Sequence, residues 1–417
     1  MRILWLSAGL LLPLDKGGKL RTFHLMRHLA RRHEFVWLSF AEPDQPADDI
    51  AGMSAVAAEV HTIPRRAIGK NGMRFKAAAA AHVLRRLPYA VGAYLSRAYQ
   101  DRVESLLSAG RFDLVVCDFL PPVANLPERL PCPSVLFTHN VEAEIWRRHA
   151  GTAGPTPKRW LLAQQWRRML RFERDAVRRF DRVLAVSEAD RETLRRLYGP
   201  LPPVDVVPTG VDTTYFAPSD APEQPGRLVF TGSMDWLPNE DAMLYFAREV
   251  LPDIQQQEPL ASLSIVGRTP TAAVRRLAST GSIEVTGRVE DVRPHIAAAQ
   301  VYVVPLRVGG GTRLKIFEAM AMGRPIVSTT VGAEGLPVQA GTHLHIADTP
   351  QDFANAVLRL LRDEGERRRL GRAARDLVVE RYDWSAAALE LERSLIAAAR
   401  RREPHTAAVP EAAAAAR

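Results

Sequence analysis

The sequence predicts an α/β protein built from two doubly wound parallel-sheet domains, and three observations carry that expectation. Short apolar, β-rich runs alternate with longer amphipathic helical patterns over most of the 417 residues. The runs are almost continuously hydrophobic, as parallel strands covered on both faces require. Near the middle, residues 219–226 (SDAPEQPG) form a Pro-, Gly- and acid-rich break that reads as a linker. A chain this long needs two or three domains at about 150 residues each.

The expected strands in the first half cover 3–8, 35–40, 59–63, 113–117, 134–138, 182–186 and 204–207. Those in the second half cover 228–232, 263–267, 283–287, 301–306, 326–330 and 343–346. Helical patterns at 18–32, 239–251, 313–322 and 351–363 lie between them. Residues 3–14 are uncharged and mostly apolar, but too few to span a bilayer. They lack a convincing small-residue cleavage site, so 3–8 is read as a buried first strand, with a signal peptide as the minor alternative. The domain boundary falls at 209–226, with 1–208 before it and 227–384 after it. Residues 403–417 are Ala-rich, low in complexity and expected to be a disordered tail.

Hydrophobic residues make up 47% and charged residues 25%, which excludes a disordered, collagenous or disulfide-stapled chain. Cys117 and Cys132 form no CxxC pair, so a reducing compartment fits and a zinc site does not. The net charge of +9 calls for an anionic partner, either nucleotide phosphate, membrane surface or nucleic acid. Nine basic residues against Asp101 alone lie between His61 and Arg102, interleaved with apolar residues. A solvated helical face is the simpler reading; an anionic membrane surface is the alternative. No helix-turn-helix, RRM or zinc-finger pattern occurs, so nucleic acid is not the expected partner.

Ligands of open parallel sheets bind beyond the carboxyl ends of the strands. Three successive strands of the second half end in glycine, at Gly232, Gly267 and Gly287, which permits close approach of a ligand. The next strand runs into Arg307-Val308-Gly309-Gly310-Gly311-Thr312 and a helix beginning Arg313-Leu314-Lys315. Thr312 is a suitable N-cap. Arg313 and Lys315 in the first turn oppose the helix dipole, and a bound diphosphate reverses that misfit. Glu318, farther along, can accept hydrogen bonds from ribose hydroxyls. Gly17 and Gly18, beside Lys16 and Lys19, can bring backbone amides to a phosphate; an ordinary loop-to-helix turn explains them equally well. His139 ends a strand and precedes Glu142 and Glu144, where it can position or exchange a proton. A histidine satisfied by backbone is the plainer alternative. There is no P-loop, no GxGxxG after the first strand, no HExxH and no cluster with metal-ligand spacing, so no metal is expected.

Several segments together resemble the family 4 glycosyltransferases of the GT-B fold. They are DKGGKLRTFHLMRHLA, SVLFTHNVEAEIW, RVLAVSEADRETL, VDVVPTGVDTTYF, LVFTGSMDWLPNEDA, LSIVGR, RYDWS and the long stretch EVTGRVEDVRPHIAAAQVYVVPLRVGGGTRLKIFEAMAMGRPIVST. Their order and spacing are more specific than any one of them. GSMDWLPNEDA and GGGTRLKIFEAMAMG are closest to the exopolysaccharide-associated branch. The resemblance implies two Rossmann-like domains facing a cleft, with the donor on the second and the acceptor on the first. It implies a helix at 385–402 that crosses back to the first domain. It implies transfer of a sugar from a UDP- or GDP-linked donor, with retention and without a cofactor or essential metal. The expected acceptor is a polysaccharide or a lipid-linked glycan, reached in the cytoplasm or at the inner face of the cytoplasmic membrane.

On that mapping Gly17 and Gly18 approach the donor phosphates, and His139 lies near the transferred sugar. Glu318 is the second acid of the family's E-x7-E pattern. Gly287, Arg288 and Val289 hold the base. The first acid of the pattern falls on Gly310, which leaves Gly309 and Gly310 to meet the sugar through backbone amides. The family's Arg and Lys after the first strand of the second domain fall on Ser233 and Pro238. Gly311, Thr312, Arg313 and Lys315 are then the expected diphosphate cradle. A nucleotide-sugar epimerase on the same fold, or a catalytically silent polysaccharide-assembly component, are the alternative functions.

Overall fold

The computed structural model describes residues 1–14, 17–66, 87–152, 157–308 and 314–400. In the first half the strands are β1 (Arg2–Ser7), β2 (Glu34–Ala41), β3 (Glu59–Pro64), β4 (Leu114–Asp118), β5 (Ser134–Phe137), β6 (Arg182–Ala185) and β7 (Val204–Val206). They pair in parallel in the order β3-β2-β1-β4-β5-β6-β7. In the second half they are β8 (Arg227–Thr231), β9 (Ser262–Val266), β10 (Ile283–Gly287), β11 (Val301–Val304), β12 (Ile326–Ser328) and β13 (His345–Ile346). Their order is β10-β9-β8-β11-β12-β13, again parallel throughout. Each expected strand is present, with ends displaced by at most two residues.

Both sheets reverse their winding beside their first strand, between β1 and β4 and between β8 and β11. Helices flanking such a reversal leave to opposite sides, so a crevice opens at the carboxyl ends of those strands. Both crevices therefore follow from strand order alone.

The alternation along β1 splits the first core into two layers. Ile3 and Trp5 pack on one face of the sheet, Leu4 and Leu6 on the other. The final helix, Trp384–Ala399, covers the Ile3 face and buries Trp384, Ala387, Leu391 and Leu395 there. Trp384 stacks on His24 of the helix Gly17–Leu29, with ring centroids 5.2 Å apart and planes 5° apart. The chain thus passes from the second half back onto the first. At that crossing Val211 takes the Tyr382 carbonyl with its N–H at 2.7 Å.

The helix expected at 239–251 is interrupted. Leu237–Tyr245 is α-helical, Phe246–Val250 forms a wider π turn, and Leu251–Gln257 resumes the α-helix. Pro252 explains this: it has no N–H to give Arg248, and its ring would strike that carbonyl.

Glycine at the exits of β8 and β9 is a steric requirement. A Cβ on Gly267 would lie 1.7 Å from the Gly232 carbonyl oxygen. Backbone cannot swing aside as a side chain does, so Gly267→Ala should destabilise the second half by about 3 kcal/mol. Chemical denaturation followed by circular dichroism measures this; an unchanged midpoint would show that the two exits separate freely.

Candidate functional site

At the first crevice, the helix Gly17–Leu29 begins against the carboxyl ends of β1 and β4. A Cβ on Gly18 would lie 2.5 Å from Phe119 Cζ, so the helix start can approach the strand exit only as glycine. Phe119, the residue after β4, has φ of 70°, the left-handed region that costs a bulky side chain energy. That backbone lays its ring flat on His139, with centroids 3.8 Å apart and planes 8° apart.

His139 is buried and sits between two charged groups. Arg21 Nη1 lies 3.0 Å from His139 Nδ1, and Asp118 Oδ1 lies 2.6 Å from Nε2. A guanidinium can only donate, so Nδ1 accepts and Nε2 carries the hydrogen given to Asp118. Thr22 Oγ1 donates to the other Asp118 oxygen at 3.1 Å, and Arg21 also donates to Thr209 Oγ1. Burial pulls His139 below its ordinary value against the opposing pull of Asp118. Burial also lowers Arg21 to about 10, which still leaves it charged at neutral pH. The imidazole is neutral, single in tautomer, and occupied at both nitrogens.

These groups border a cleft of about 460 Å³ whose lining includes Gly17, Gly18, Arg21, His139, Glu142 and, from the second half, Leu314. A Cβ on Gly17 would come within 3.1 Å of Leu314 Cδ1, so the two crevices meet there.

At the second crevice, Lys315 on the helix Leu314–Ala321 reaches the exit of β8. Its Nζ donates to Asn239 Oδ1 at 2.8 Å and rests over the Phe230 ring, 4.0 Å from the centroid. A Cβ on Gly232 would lie 2.7 Å from that Nζ, so glycine makes room for the ammonium. Asn239 Nδ2 donates onward to the Ser233 carbonyl at 2.8 Å. Arg268, directly after the β9 exit, donates to Ser233 Oγ at 3.0 Å. Glu318 is half-buried; desolvation pushes its carboxyl up to about 7, against the pull of Lys315.

Two family models divide the chain between them. "Glycosyltransferase Family 4" matches residues 16–215 and "Glycosyl transferases group 1" matches residues 225–363. The chain belongs to the family 4 glycosyltransferases. Among curated relatives of this family 4 member is a GDP-mannose-dependent monoacylated alpha-(1-6)-phosphatidylinositol monomannoside mannosyltransferase of Corynebacterium glutamicum. It is 26% identical over 244 residues, 52% of this chain and 63% of the relative. A D-inositol 3-phosphate glycosyltransferase of Kineococcus radiotolerans is 28% identical over 250 residues, 52% of this chain and 57% of the relative. The chain spans less than two thirds of the length of these relatives. Solved structures share the GT-B fold. Sucrose-phosphate synthase from Thermosynechococcus elongatus has a TM-score of 0.68 at 19% identity, covering 95% of this chain and 100% of that one. HepE of Anabaena, in complex with UDP, has a TM-score of 0.67 at 14% identity, with the same coverage.

In this family 4 member the structure gathers Gly17, Gly18 and His139 at one cleft and sets Lys315 and Glu318 on the adjoining helix. Gly287 ends β10 at the edge of the sheet with φ of 72°; Arg288 is exposed and Val289 packs on the core. Gly309, Gly310, Gly311, Thr312 and Arg313 lie outside the described residues. Arg21, Asp118 and Arg268 were not legible as site residues. Asp118 carried a signal, an acid on the last position of a strand at the sheet's reversal. Arg21 carried only its place one turn after the glycine pair.

Two carboxyls give the fold a pH dependence. Glu173, fully buried, is raised to about 7 by burial, as is Glu318. Both hold a proton more tightly folded than unfolded, so they favour folding below the ordinary value of 4.5 and lose that contribution as pH rises through about 7. Urea denaturation should show lower stability at about pH 8 than at about pH 5.5, and Glu318→Gln should reduce the difference. An identical drop in the variant would remove Glu318 from this account.

Proposed function

We propose that the chain transfers a sugar from a nucleotide-diphosphate-sugar donor to a polysaccharide or lipid-linked acceptor. One observation carries this reading most directly. The Lys315 ammonium occupies the exit of β8, where Ser233 and Pro238 supply no cation. A charge at that crevice suits a diphosphate leaving group, which gains negative charge as the glycosidic bond breaks. Fixed cations and N–H dipoles aimed there stabilise the transition state more than the bound donor.

In this reading Lys315 and Arg268 take the diphosphate together with Gly17, Gly18, Gly311, Thr312 and Arg313. Glu318 accepts the ribose hydroxyls, and Gly287, Arg288 and Val289 face the base. The backbone of Gly309 and Gly310 meets the sugar. His139 forms the sugar-side wall with a neutral ring; passing a proton would require it to release Arg21 or Asp118. The GDP-mannose in the names of relatives and the UDP held by HepE make both bases worth testing. Among the described residues no helix is long and apolar enough to cross a membrane. The net charge of +9 supports peripheral contact with an anionic inner membrane face, which cosedimentation with acidic vesicles at low and high salt tests.

Lys315→Ala should lower turnover by about 2–4 kcal/mol of transition-state stabilisation, roughly 30- to 1,000-fold. Unchanged turnover would end the charge-replacement argument. UDP or GDP at a hundred times its dissociation constant should stabilise the protein by about 2.7 kcal/mol, read as a thermal shift. Donor consumption without acceptor would point instead to an epimerase, and nucleotide binding without turnover to a silent assembly component.

A further inference from the structure

The cleft lining contains one carboxylate, Glu142, on the first turn of the helix that follows His139 and Asn140. Its side chain is not used to cap that helix. Buried Glu173 does so from another helix, accepting the N–H groups of Glu142 and Ala143 at 2.9 Å each. Tyr198 Oη fixes Glu173 in turn by donating to it at 2.6 Å. Among the described residues no cation forms an ion pair with the Glu142 carboxylate; Asn140 lies beside it on the cleft lining. Arg21, on the same wall, is engaged with His139 and Thr209.

A half-buried carboxylate without an ion-pair partner has lone pairs left to fill, and burial already raises its pKa. Hydroxyl groups can fill them. A phosphate or a second carboxylate placed against Glu142 itself would meet a like charge that no ion pair neutralises; Lys19, the other cation lining the cleft beside Arg21, donates to the Pro13 carbonyl at 3.3 Å. Leu314, the neighbour of Lys315, lines the same cleft, so a group held at Glu142 shares that cleft with the helix that carries Lys315.

We propose that Glu142, beside Asn140 on the cleft wall, is an acceptor subsite for a neutral sugar, taking a hydrogen bond from one of its hydroxyls. This rests on the glycosyl-transfer reading above. The subsite selects a neutral, hydroxylated acceptor terminus and rejects a phosphorylated one. The hydroxyl could also belong to the donor sugar, and the kinetics separate the two sources.

The test uses the full chain, with the donor chosen by thermal shift among UDP- and GDP-linked hexoses. Acceptors are octyl hexosides, their monodeoxy counterparts and the matching hexose 6-phosphates. Glu142→Gln and Glu142→Ala should raise the KM for the neutral acceptor roughly 10- to 100-fold and leave the donor KM within about twofold. One monodeoxy acceptor should cost the wild type a similar factor and cost Glu142→Ala almost nothing. Both variants should keep the wild-type thermal shift with UDP or GDP, which separates a lost contact from a lost fold. An unchanged acceptor KM, or a change confined to the donor KM, overturns the subsite while leaving glycosyl transfer intact. A wild type that binds nucleotide but transfers sugar to none of these acceptors overturns both readings.

Discussion

The Lys315 ammonium sits at the exit of β8 in the space that residue 232 leaves by having no side chain. Gly232 leaves the space, the face of Phe230 offers the negative side of its ring, and Asn239 accepts a hydrogen bond that sets direction. The charge arrives from a helix more than 80 residues away in sequence, yet it occupies the crevice that the sheet's own reversal creates. A cation held there keeps a strong interaction with an entering anion, since part of its surroundings is protein rather than water. The remaining features of the second crevice adapt to it. Gly267 must be bare to pass Gly232, and Ser233, too short to bring charge itself, anchors Arg268 instead.

The first crevice is organised differently. Its charges pair with one another: Arg21, His139, Asp118, Thr22 and Thr209 form a connected buried network. Such a network is costly when incomplete and rigid when complete. It turns His139 from a titrating group into a fixed surface, and Phe119 holds that surface flat at the expense of its own backbone. One rim thus supplies shape and the other supplies field. That division suits a reaction in which the nucleophile must be aligned while the leaving group must be stabilised.

The strands were legible because parallel strands buried on both faces need continuous apolar runs, and the thirteen runs have no competing explanation of similar length. The helix at 239–251 was legible in kind but not in continuity, because the effect of Pro252 falls on the turn before it. Glycines at strand exits were legible as a pattern; their reasons were not, since those lie in contacts between separate strands. Arg21 and His139 stand 118 positions apart, and Arg21 and Thr209 stand 188 apart. Sequence spacing carries no sign of such pairs, and a lone arginine on an amphipathic helix reads as solvated whichever way it points.

The two rims touch at Gly17 and Leu314, and what fixes them relative to each other is mostly the packing of the crossing helix. The return of the helix Trp384–Ala399 onto the first core buries large apolar side chains, a contribution of several kcal/mol. Across the cleft, by contrast, Arg148 pairs with Glu334 at 3.1 Å with both side chains more than 40% exposed. An ion pair in that setting contributes about 0–1 kcal/mol. The strong attachment therefore lies at the back of the molecule and the weak one at the mouth. Opening the mouth breaks little, whereas shearing the two halves apart would expose Trp384 and the core beneath it. The crossing helix, not the mouth of the cleft, is therefore where the two halves are held together.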